Sequence, residues 1–226
     1  MRTFNIALIV VLVVSVSIIA LVMAIEENTY DLDYYMDSYE ENGVYDVTGK
    51  TPEELEVVSK DIITYLKGSD DSALDRHFNE REIQHMEDVL QLYELSRVLK
   101  LASALFALAV VFWFLSKEMA GFMGKWMSIG LFANHLLLIV MVILVLTDFT
   151  RYFTVFHEIF FDNDLWILNP RTDLLIQILP EPFFINIAGN IGISFIKYLS
   201  IAQLIGYIFY KKGKYTIGRF KSKKRY

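Results

Sequence analysis

The chain contains no cysteine among its 226 residues. This absence excludes disulfide bonds, thiolate metal sites and a cysteine nucleophile within the chain. Any exported loop therefore has to fold by packing against itself or against a membrane domain.

Charged residues are nearly absent from four long apolar stretches, whose only charges are Lys100 and Lys197. The four stretches are residues 4–25, 98–115, 126–146 and 183–210. A bilayer core about 30 Å thick needs about 20 apolar residues in a helix, and 54% of the chain is hydrophobic, more than in most soluble domains. The stretches predict an integral membrane protein, mainly α-helical, with a bundle of four transmembrane helices. The first stretch is longer than the apolar part of a secretory signal, which favours an uncleaved anchor.

The remaining charges are distributed unevenly between the predicted loops. Residues 26–97 contain 20 acidic and 6 basic residues, whereas residues 211–226 contain eight basic residues and no acidic one. The connector 116–125 carries two lysines and one glutamate. Because positively charged loops stay in the cytoplasm, both termini and this connector are predicted inside, and residues 26–97 and 147–182 outside. The basic tail also attracts anionic lipid, but it lacks the aromatic platform that would indicate nucleic-acid binding.

The first outer loop has the pattern of a small folded cap. Asn42-Gly43 lies between aromatic and β-branched residues, which predicts a β-hairpin. Thr51-Pro-Glu-Glu54 has the spacing of a capping box at the start of a helix, and Gly68 ends that helix. The two outer loops are therefore expected to form a small mixed α/β extracellular cap.

A second capping box, Asn79-Glu-Arg-Glu82, predicts a long helix. No proline or glycine follows it until Gly121, so a single helix is expected to run from about residue 80 into the second span. Glu82 and His85 share a face of that helix, because residues three or four apart are neighbours.

Two histidines in the outer loops are the candidates for chemistry, because they titrate near neutral pH at the lipid surface. His85 is followed by Asp88, and a carboxylate near an imidazole raises its pKa and fixes its tautomer. His157 is followed by Asn163 and Asp164.

The other two histidines have simpler interpretations. His77 lies in a polar stretch and is expected to be solvated. His135 lies within the third span beside Asn134, and we expect it to make a hydrogen bond between helices.

The second outer loop is rich in aromatic residues, with two interpretations. The aromatic side chains form an interfacial belt that anchors the ends of the spans, or they wall a pocket around His157. The pattern over residues 153–161 fits a strand or an irregular segment equally well. The candidate pocket residues are Tyr152, Phe153, Phe156, Phe160, Phe161 and Trp166.

Two familiar catalytic patterns are missing. His85, Asp88, His157 and Asp162 are residue types that ligate zinc, but the chain has no His-Glu-x-x-His motif. It also lacks the Gly-x-Ser-x-Gly elbow of a serine hydrolase. An enzyme built from this chain works without an obvious covalent nucleophile. A non-catalytic membrane assembly or sensor protein and a metal-dependent membrane hydrolase stay open as alternatives.

Four stretches of the chain resemble the lipoprotein intramolecular transacylase (Lit) family of Gram-positive bacteria. They are Glu-Ile-Gln-His-Met-Glu-Asp-Val at 82–89, Phe-His-Glu-Ile-Phe-Phe-Asp-Asn-Asp-Leu-Trp-Ile-Leu-Asn-Pro at 156–170, Asp-Leu-Leu-Ile at 173–176 and Pro-Glu-Pro-Phe-Phe at 180–184. The resemblance also covers the four-span layout. It implies a plasma-membrane enzyme that takes a diacylglyceryl-modified lipoprotein and moves the sn-2 acyl chain onto the α-amino group of its N-terminal cysteine.

The resemblance also implies the site. The family's two catalytic histidines correspond to His85 and His157. The amine and the ester belong to one molecule, so neither an acyl-enzyme nor a cofactor or metal is expected, and one histidine as base with the other as acid meets the proton demand. We assign His157 as the base and His85 as the acid, an assignment that the sequence does not separate from its reverse. The supporting residues are Glu82, Asp88, Asn163 and Asp164. The expected partners are the lipoprotein substrate and membrane lipid, and a monomer is expected.

Overall fold

The structure, a computed structural model, describes the backbone of residues 2–223 and the side chains of residues 3–144 and 147–213. Within residues 2–223 it contains nine helices and no strand. The helices are α1 (Arg2–Thr29), α2 (Leu32–Glu41), α3 (Val44–Thr48), α4 (Pro52–Leu66), α5 (Glu80–Ser116), α6 (Ala120–Thr147), α7 (Phe149–Phe160), α8 (Leu174–Ile178) and α9 (Glu181–Lys223). The predicted basic tail 211–226 continues α9 through Lys223, and residues 224–226 lie outside the described residues.

Four of the described helices contain segments long and apolar enough to cross a membrane. The segments are Thr3–Thr29, Glu80–Ser116, Ala120–Leu144 and Glu181–Gly213. α6 already begins at Ala120, so only residues 117–119 connect it to α5.

The chain divides into two compact units. The apolar unit contains Arg97–Met141 together with the chain up to Ala24 and the chain from Gly192 onward. The cap unit contains Ile25–Ser96 and Val142–Ile191.

In the apolar unit, α6 and α9 approach closely through small residues. A Cβ atom on Gly124 would overlap the backbone oxygen of Gly206. The Ser128 hydroxyl donates to the Gln203 carbonyl at 3.1 Å, and the Gln203 amide donates to the Ser128 carbonyl at 3.3 Å. Small residues and hydrogen bonds between helices are the features that hold helices together in lipid.

The cap unit has its own hydrophobic core, as a loop without disulfides requires. α2 and α4 pack through side chains spaced three or four residues apart, and α8 and the first turns of α9 complete the cluster. The buried core residues on α2 and α4 are Tyr35, Tyr39, Leu55, Val58, Ile62, Ile63, Tyr65 and Leu66. The Tyr39 hydroxyl lies 2.8 Å from the Ser59 hydroxyl, so this buried polar group has a partner.

The predicted hairpin around Asn42-Gly43, and with it the mixed α/β cap, is wrong. Asn42 ends α2, and Gly43, at a φ of +65°, precedes α3. Glycine with a positive φ suits both a hairpin turn and the end of a helix, so the dipeptide does not distinguish them. The burial of Tyr35 and Tyr39, one helical turn apart, decides for the helix.

Both predicted capping boxes are present. In α4, Thr51 and Glu54 exchange backbone-to-side-chain hydrogen bonds of 2.8 and 3.3 Å. At the start of α5, Asn79 and Glu82 do the same at 2.8 and 3.1 Å. α5 then runs for 37 residues without interruption.

Two expectations about histidines are wrong. His77 is not simply solvated, because its Nε2 lies 2.7 Å from a carboxylate oxygen of Asp61 and its side chain is mostly buried. His135 makes no hydrogen bond to another described helix: its Nδ1 is buried without a partner among the described residues, and its ring stacks on Phe132. Asn134 donates to the Leu131 carbonyl of its own helix.

Candidate active site

The structure brings His85 and His157 together from separate helices of the cap unit. His85 lies near the start of α5, before the apolar stretch 98–115, and His157 lies in the last turn of α7. Their ring centroids are 6.0 Å apart. Both residues are buried, with 8% and 7% of their surfaces exposed.

α7 is the element that orients His157. Both interpretations of residues 153–161, a strand or an irregular segment, are wrong, because residues 149–160 form this helix and Phe161 ends it. The helix begins where the Asp148 carboxylate accepts from the Arg151 amide at 3.1 Å. Phe149, Phe153 and His157 then follow at spacings of four and share one face. The Phe153 ring packs on Phe184 of α9 at 5.2 Å, which fixes this face against the cap.

The hydrogen bond made by His157 defines its tautomer. Its Nδ1 lies 2.7 Å from the carbonyl oxygen of Phe153. A carbonyl oxygen only accepts, so Nδ1 carries the hydrogen, and Nε2 keeps the lone pair in the neutral ring.

Aromatic rings surround His157 on several sides. The centroid distances are 4.2 Å to Phe153, 4.7 Å to Trp166, 5.4 Å to Phe156 and 5.5 Å to Phe161. Phe161 also meets the His85 ring edge-on at 5.3 Å, so one phenylalanine contacts both imidazoles. Tyr152 and Phe160, though both described, make no ring contact with either histidine; Phe160 packs on Phe156 instead.

Both histidines are neutral at pH 7, because their environment disfavours the charged form. The pKa of His85 is lowered to about 4, chiefly by burial and also by the nearby His157, against the effect of Asp88. Burial likewise lowers the pKa of His157, against the hydrogen bond to Phe153. The site therefore holds two imidazoles that each have a lone pair available for a proton.

Asn163 connects the segment after α7 to α5. Its side-chain amide donates to the Asp88 carboxylate at 2.8 Å, and its carbonyl accepts from the Trp166 indole at 3.1 Å. Asp164 is held by Arg81, which donates to its backbone oxygen and lies 3.5 Å from its carboxylate. Through these contacts, Asn163 keeps the Trp166 ring in place against His157.

Glu82 does not bond to His85 but ties the start of α5 to α8. Its carboxylate accepts from the backbone amide of Asn79 at 2.8 Å and from that of Leu175 at 2.6 Å. Burial raises the pKa of Glu82, against the effect of these hydrogen bonds. Asp173, which precedes α8, accepts from the Asn79 side chain at 3.2 Å and completes the connection.

The sequence did not predict three features of this framework. They are the role of Arg81, the role of Asp173, and the hydrogen bond between Asn79 and Asp173. Asp173 stands directly before an apolar helix and could have been recognised as an N-cap position. No local pattern indicates which partner Arg81 contacts. The described residues contain no group of three or more His, Asp or Glu side chains placed to hold a metal ion, and Asp88 is hydrogen-bonded to Asn163.

Four long apolar helices and a buried pair of neutral histidines define a helical membrane protein with a site suited to acid–base chemistry. The chain belongs to the lipoprotein intramolecular transacylase Lit family, whose model matches residues 10–184. It is therefore an acyltransferase of the membrane that acts within a lipoprotein molecule.

Solved structures of a family member have the same fold. Lit from Bacillus cereus is 20% identical, with a TM-score of 0.82 over 95% of this chain and 99% of that chain. A variant of that protein with an H85R mutation in its own numbering gives a TM-score of 0.80 at 19% identity, over 95% and 96% of the two chains. A variant with an H85A mutation gives 0.79 at 19% identity, over 94% and 96%. No curated protein sequence matches the chain significantly.

Proposed function

We propose that this transacylase moves the sn-2 acyl chain of a diacylglyceryl lipoprotein onto the α-amino group of the same molecule's N-terminal cysteine, leaving a lyso-form lipoprotein. The observation that carries the proposal is the meeting of His85 and His157, buried and neutral, with ring centroids 6.0 Å apart. The family assignment supplies the reaction class, and the two imidazoles supply the groups that move its protons.

The reaction needs no nucleophile from the enzyme. The α-amino nitrogen attacks the ester carbonyl carbon of its own glyceryl group, a C–N bond forms, and the bond between that carbon and the glyceryl oxygen breaks. Holding the two ends of a flexible substrate in the ring-closing pose contributes much of the rate enhancement. Rigid aromatic side chains around His157 suit that task.

His157 is proposed as the general base. Its Nε2 carries the lone pair because Nδ1–H is bound to the Phe153 carbonyl. The α-amino group has an ordinary pKa of about 8, so an uncharged amine is accessible near neutral pH. His157 then accepts one proton from the nitrogen as the amide forms.

His85 is proposed as the general acid that protonates the departing glyceryl oxygen. One proton leaves nitrogen and one reaches oxygen, so the reaction is balanced without any other reactant. Because both imidazoles are neutral at rest, the proton that His157 takes from nitrogen passes to the nearby His85 ring, whose centroid is 6.0 Å away. The His85 imidazolium formed in this way protonates the oxygen, and both rings are neutral again at the end of the turnover.

The supporting residues act through position. We propose that Asn163 and Asp88 hold the segment that carries Trp166 over His157, and that Arg81 and Asp164 strengthen the same connection. Glu82 fixes the first turn of α5 and thereby the direction of the His85 side chain. The proposed active form is a monomer with both termini in the cytoplasm and the histidines on the extracellular side.

The test is lipoprotein conversion by variants of the full chain, expressed with a reporter lipoprotein in a host that lacks transacylase. His85→Ala and His157→Ala are each expected to lower conversion at least about 100-fold, the usual contribution of a general acid or base. His77→Ala is the matched control, since His77 pairs with Asp61 outside the site, and it should convert normally.

The readout has to be tandem mass spectrometry of the N-terminal peptide, because substrate and product are isomers of equal mass. The expected product has one acyl chain on nitrogen and one on glycerol. Circular dichroism and thermal unfolding in detergent establish that each variant is folded. Full conversion by either histidine variant would contradict the proposed pair.

A further inference from the structure

α7 has an exposed apolar face, of which only Phe156 also makes a ring contact with a histidine of the site. Ile159 is 69% exposed, Phe160 51%, Phe156 46% and Val155 39%. These residues occur as two adjacent pairs one helical turn apart, so their side chains form a continuous surface, which we call the exposed α7 face.

The other sides of α7 have different surroundings. Phe153 and His157 face the cap unit, where they contact Phe184 and Trp166. Arg151 and Glu158 are exposed on the third side and carry opposite charges. α7 therefore has three sides: one packs against the core of the cap unit, one is charged and faces water, and one is apolar and uncovered.

The connection to α6 indicates what covers that face. α6 carries a membrane-spanning segment and ends at Thr147, and a single residue, Asp148, separates it from α7. The first turn of α7 consequently lies at the membrane boundary. An apolar helix face at that level, with charged residues on its opposite side, is the pattern of helices that lie in the lipid interface. In water the same patch would expose four large apolar side chains side by side.

We propose that the exposed α7 face is inserted among the lipids of the bilayer leaflet nearest the cap. α7 then lies along the interface with Val155, Phe156, Ile159 and Phe160 between acyl chains, and with Arg151 and Glu158 in water. This insertion does not depend on the proposed roles of the histidines.

One consequence does rest on the proposed function. His157 follows Phe156 directly and is rotated from it by about 100° around the helix axis. A helix inserted through Phe156 therefore holds the imidazole beside the lipid interface, at the depth where glyceryl esters lie. Insertion of α7 would thus set the depth of His157, the proposed base, relative to the lipid esters.

The absence of cysteine makes the insertion directly measurable. Ile159→Cys and Glu158→Cys, adjacent positions on different sides of α7, are each labelled with a nitroxide in the otherwise complete chain. The labelled proteins are reconstituted into vesicles of phosphatidylcholine and phosphatidylglycerol. Electron paramagnetic resonance then compares the accessibility of each label to oxygen, which partitions into lipid, and to a water-soluble nickel chelate.

The expected result is that the label at position 159 is relaxed mainly by oxygen and the label at 158 mainly by nickel. Equal nickel accessibility at both positions would overturn the proposal. Shielding of the 159 label from both reagents would also overturn it, because a protein would then cover the face; dipolar broadening would identify that protein as a second copy.

A second measurement separates insertion from the histidine chemistry. Ile159→Asp is expected to lower conversion in vesicles more than in detergent micelles, whereas the control Glu158→Gln changes neither. If Ile159→Asp converts substrate in vesicles as the parent does, then α7 does not set the depth of His157, even if the nitroxide at position 159 is found in lipid. If His157→Ala retains activity while the label is inserted, only the histidine proposal fails.

Discussion

The two histidine side chains differ in what fixes their rings. His157 has a hydrogen bond at Nδ1 and aromatic contacts on several sides, so its tautomer and its orientation are determined before substrate binds. His85 contacts Phe161, and its Nδ1 is buried without a partner in the described part of the chain. The fixed direction of its Nε2 lone pair suits His157 to the proposed role of base.

The low pKa of His85 predicts a loss of stability in acid. Its pKa is about 4 in the folded chain against an ordinary value of 6.5, so the unfolded state binds the proton first as the pH falls. Above pH 6.5, protonation of His85 does not affect the free energy of unfolding. Between pH 6.5 and pH 4 it lowers this free energy progressively, by at most about 3 kcal/mol. His157, whose pKa is also lowered, adds to the loss in the same direction.

The measurement is the free energy of unfolding in detergent at pH 7 and pH 4.5 for the parent chain and for His85→Gln. The parent is expected to lose more stability than the variant between these pH values, because glutamine does not titrate. An equal loss in both proteins would show that His85 is as easily protonated in the folded chain as in the unfolded one.

At the scale of the elements, the two capping boxes differ in what they support. Both Glu54 of α4 and Glu82 of α5 accept from the backbone amide three residues earlier. Glu54 is exposed and does only this, whereas Glu82 is fully buried and also accepts from Leu175 of α8. The same local motif is thus a helix cap in one place and a connection between helices in the other.

Removing the two carboxylates is predicted to have unequal effects. Glu82→Ala leaves two amides without their acceptor, in a buried place where each unsatisfied group costs about 1–3 kcal/mol. Glu54→Ala, the matched control, should cost about 1 kcal/mol or less because water replaces the carboxylate. Glu82→Gln keeps an acceptor oxygen and should restore part of the lost stability.

Thermal unfolding and lipoprotein conversion are measured together for these variants. If Glu82 positions His85, Glu82→Ala should lower the maximal rate beyond the effect of its lower stability, at a temperature where the variant is folded. An unaltered rate in folded Glu82→Ala would leave the glutamate with a purely structural role.

The parts of the fold that the sequence predicts correctly are those decided by local chemistry. The boxes at Thr51 and Asn79 need only residues three positions apart, and the four apolar helices need only composition. The prediction from Asn42-Gly43 was wrong because glycine with a positive φ occurs both in hairpin turns and at helix ends. The burial of Tyr35 and Tyr39, one helical turn apart, distinguishes the two. The approach of His85 to His157 depends on packing between α5 and α7, which residues 72 positions apart do not reveal without a resemblance.

The aromatic loop shows the same limit at the candidate site. Its residues fit either an interfacial belt or a pocket wall, and the structure places four of the six candidates on α7 and the other two, Phe161 and Trp166, after it. Phe153 and Phe161 contact His157, whereas Phe156 contacts it with an exposed ring and Phe160 does not reach it. For the candidates on α7, the angular position around the helix axis separates these roles, and that position follows only once the segment is known to be a helix.

At the scale of the whole molecule, charge is the feature that predicts the orientation of the chain in a membrane. The predicted outer loop 26–97 is strongly acidic, and the basic residues concentrate after position 210, with Lys117 in the connector between α5 and α6 and Lys125 near the start of α6. Acidic residues contribute little to orientation, so the lysines and arginines near the span ends carry the prediction. The prediction is that both termini are in the cytoplasm and that the histidines face outside.

This orientation can be tested on a chain that has no cysteine of its own to react. Ser72→Cys and Ser116→Cys are matched substitutions at exposed positions, one in the acidic loop before α5 and one at the end of α5. A membrane-impermeant maleimide should label position 72 in intact cells and position 116 only after the membrane is permeabilised. The reverse pattern would place the histidines in the cytoplasm, where an exported lipoprotein's N-terminus is out of reach. Labelling of both positions in intact cells would mean that α5 does not place them on opposite sides of the membrane, and the charge argument would then fail.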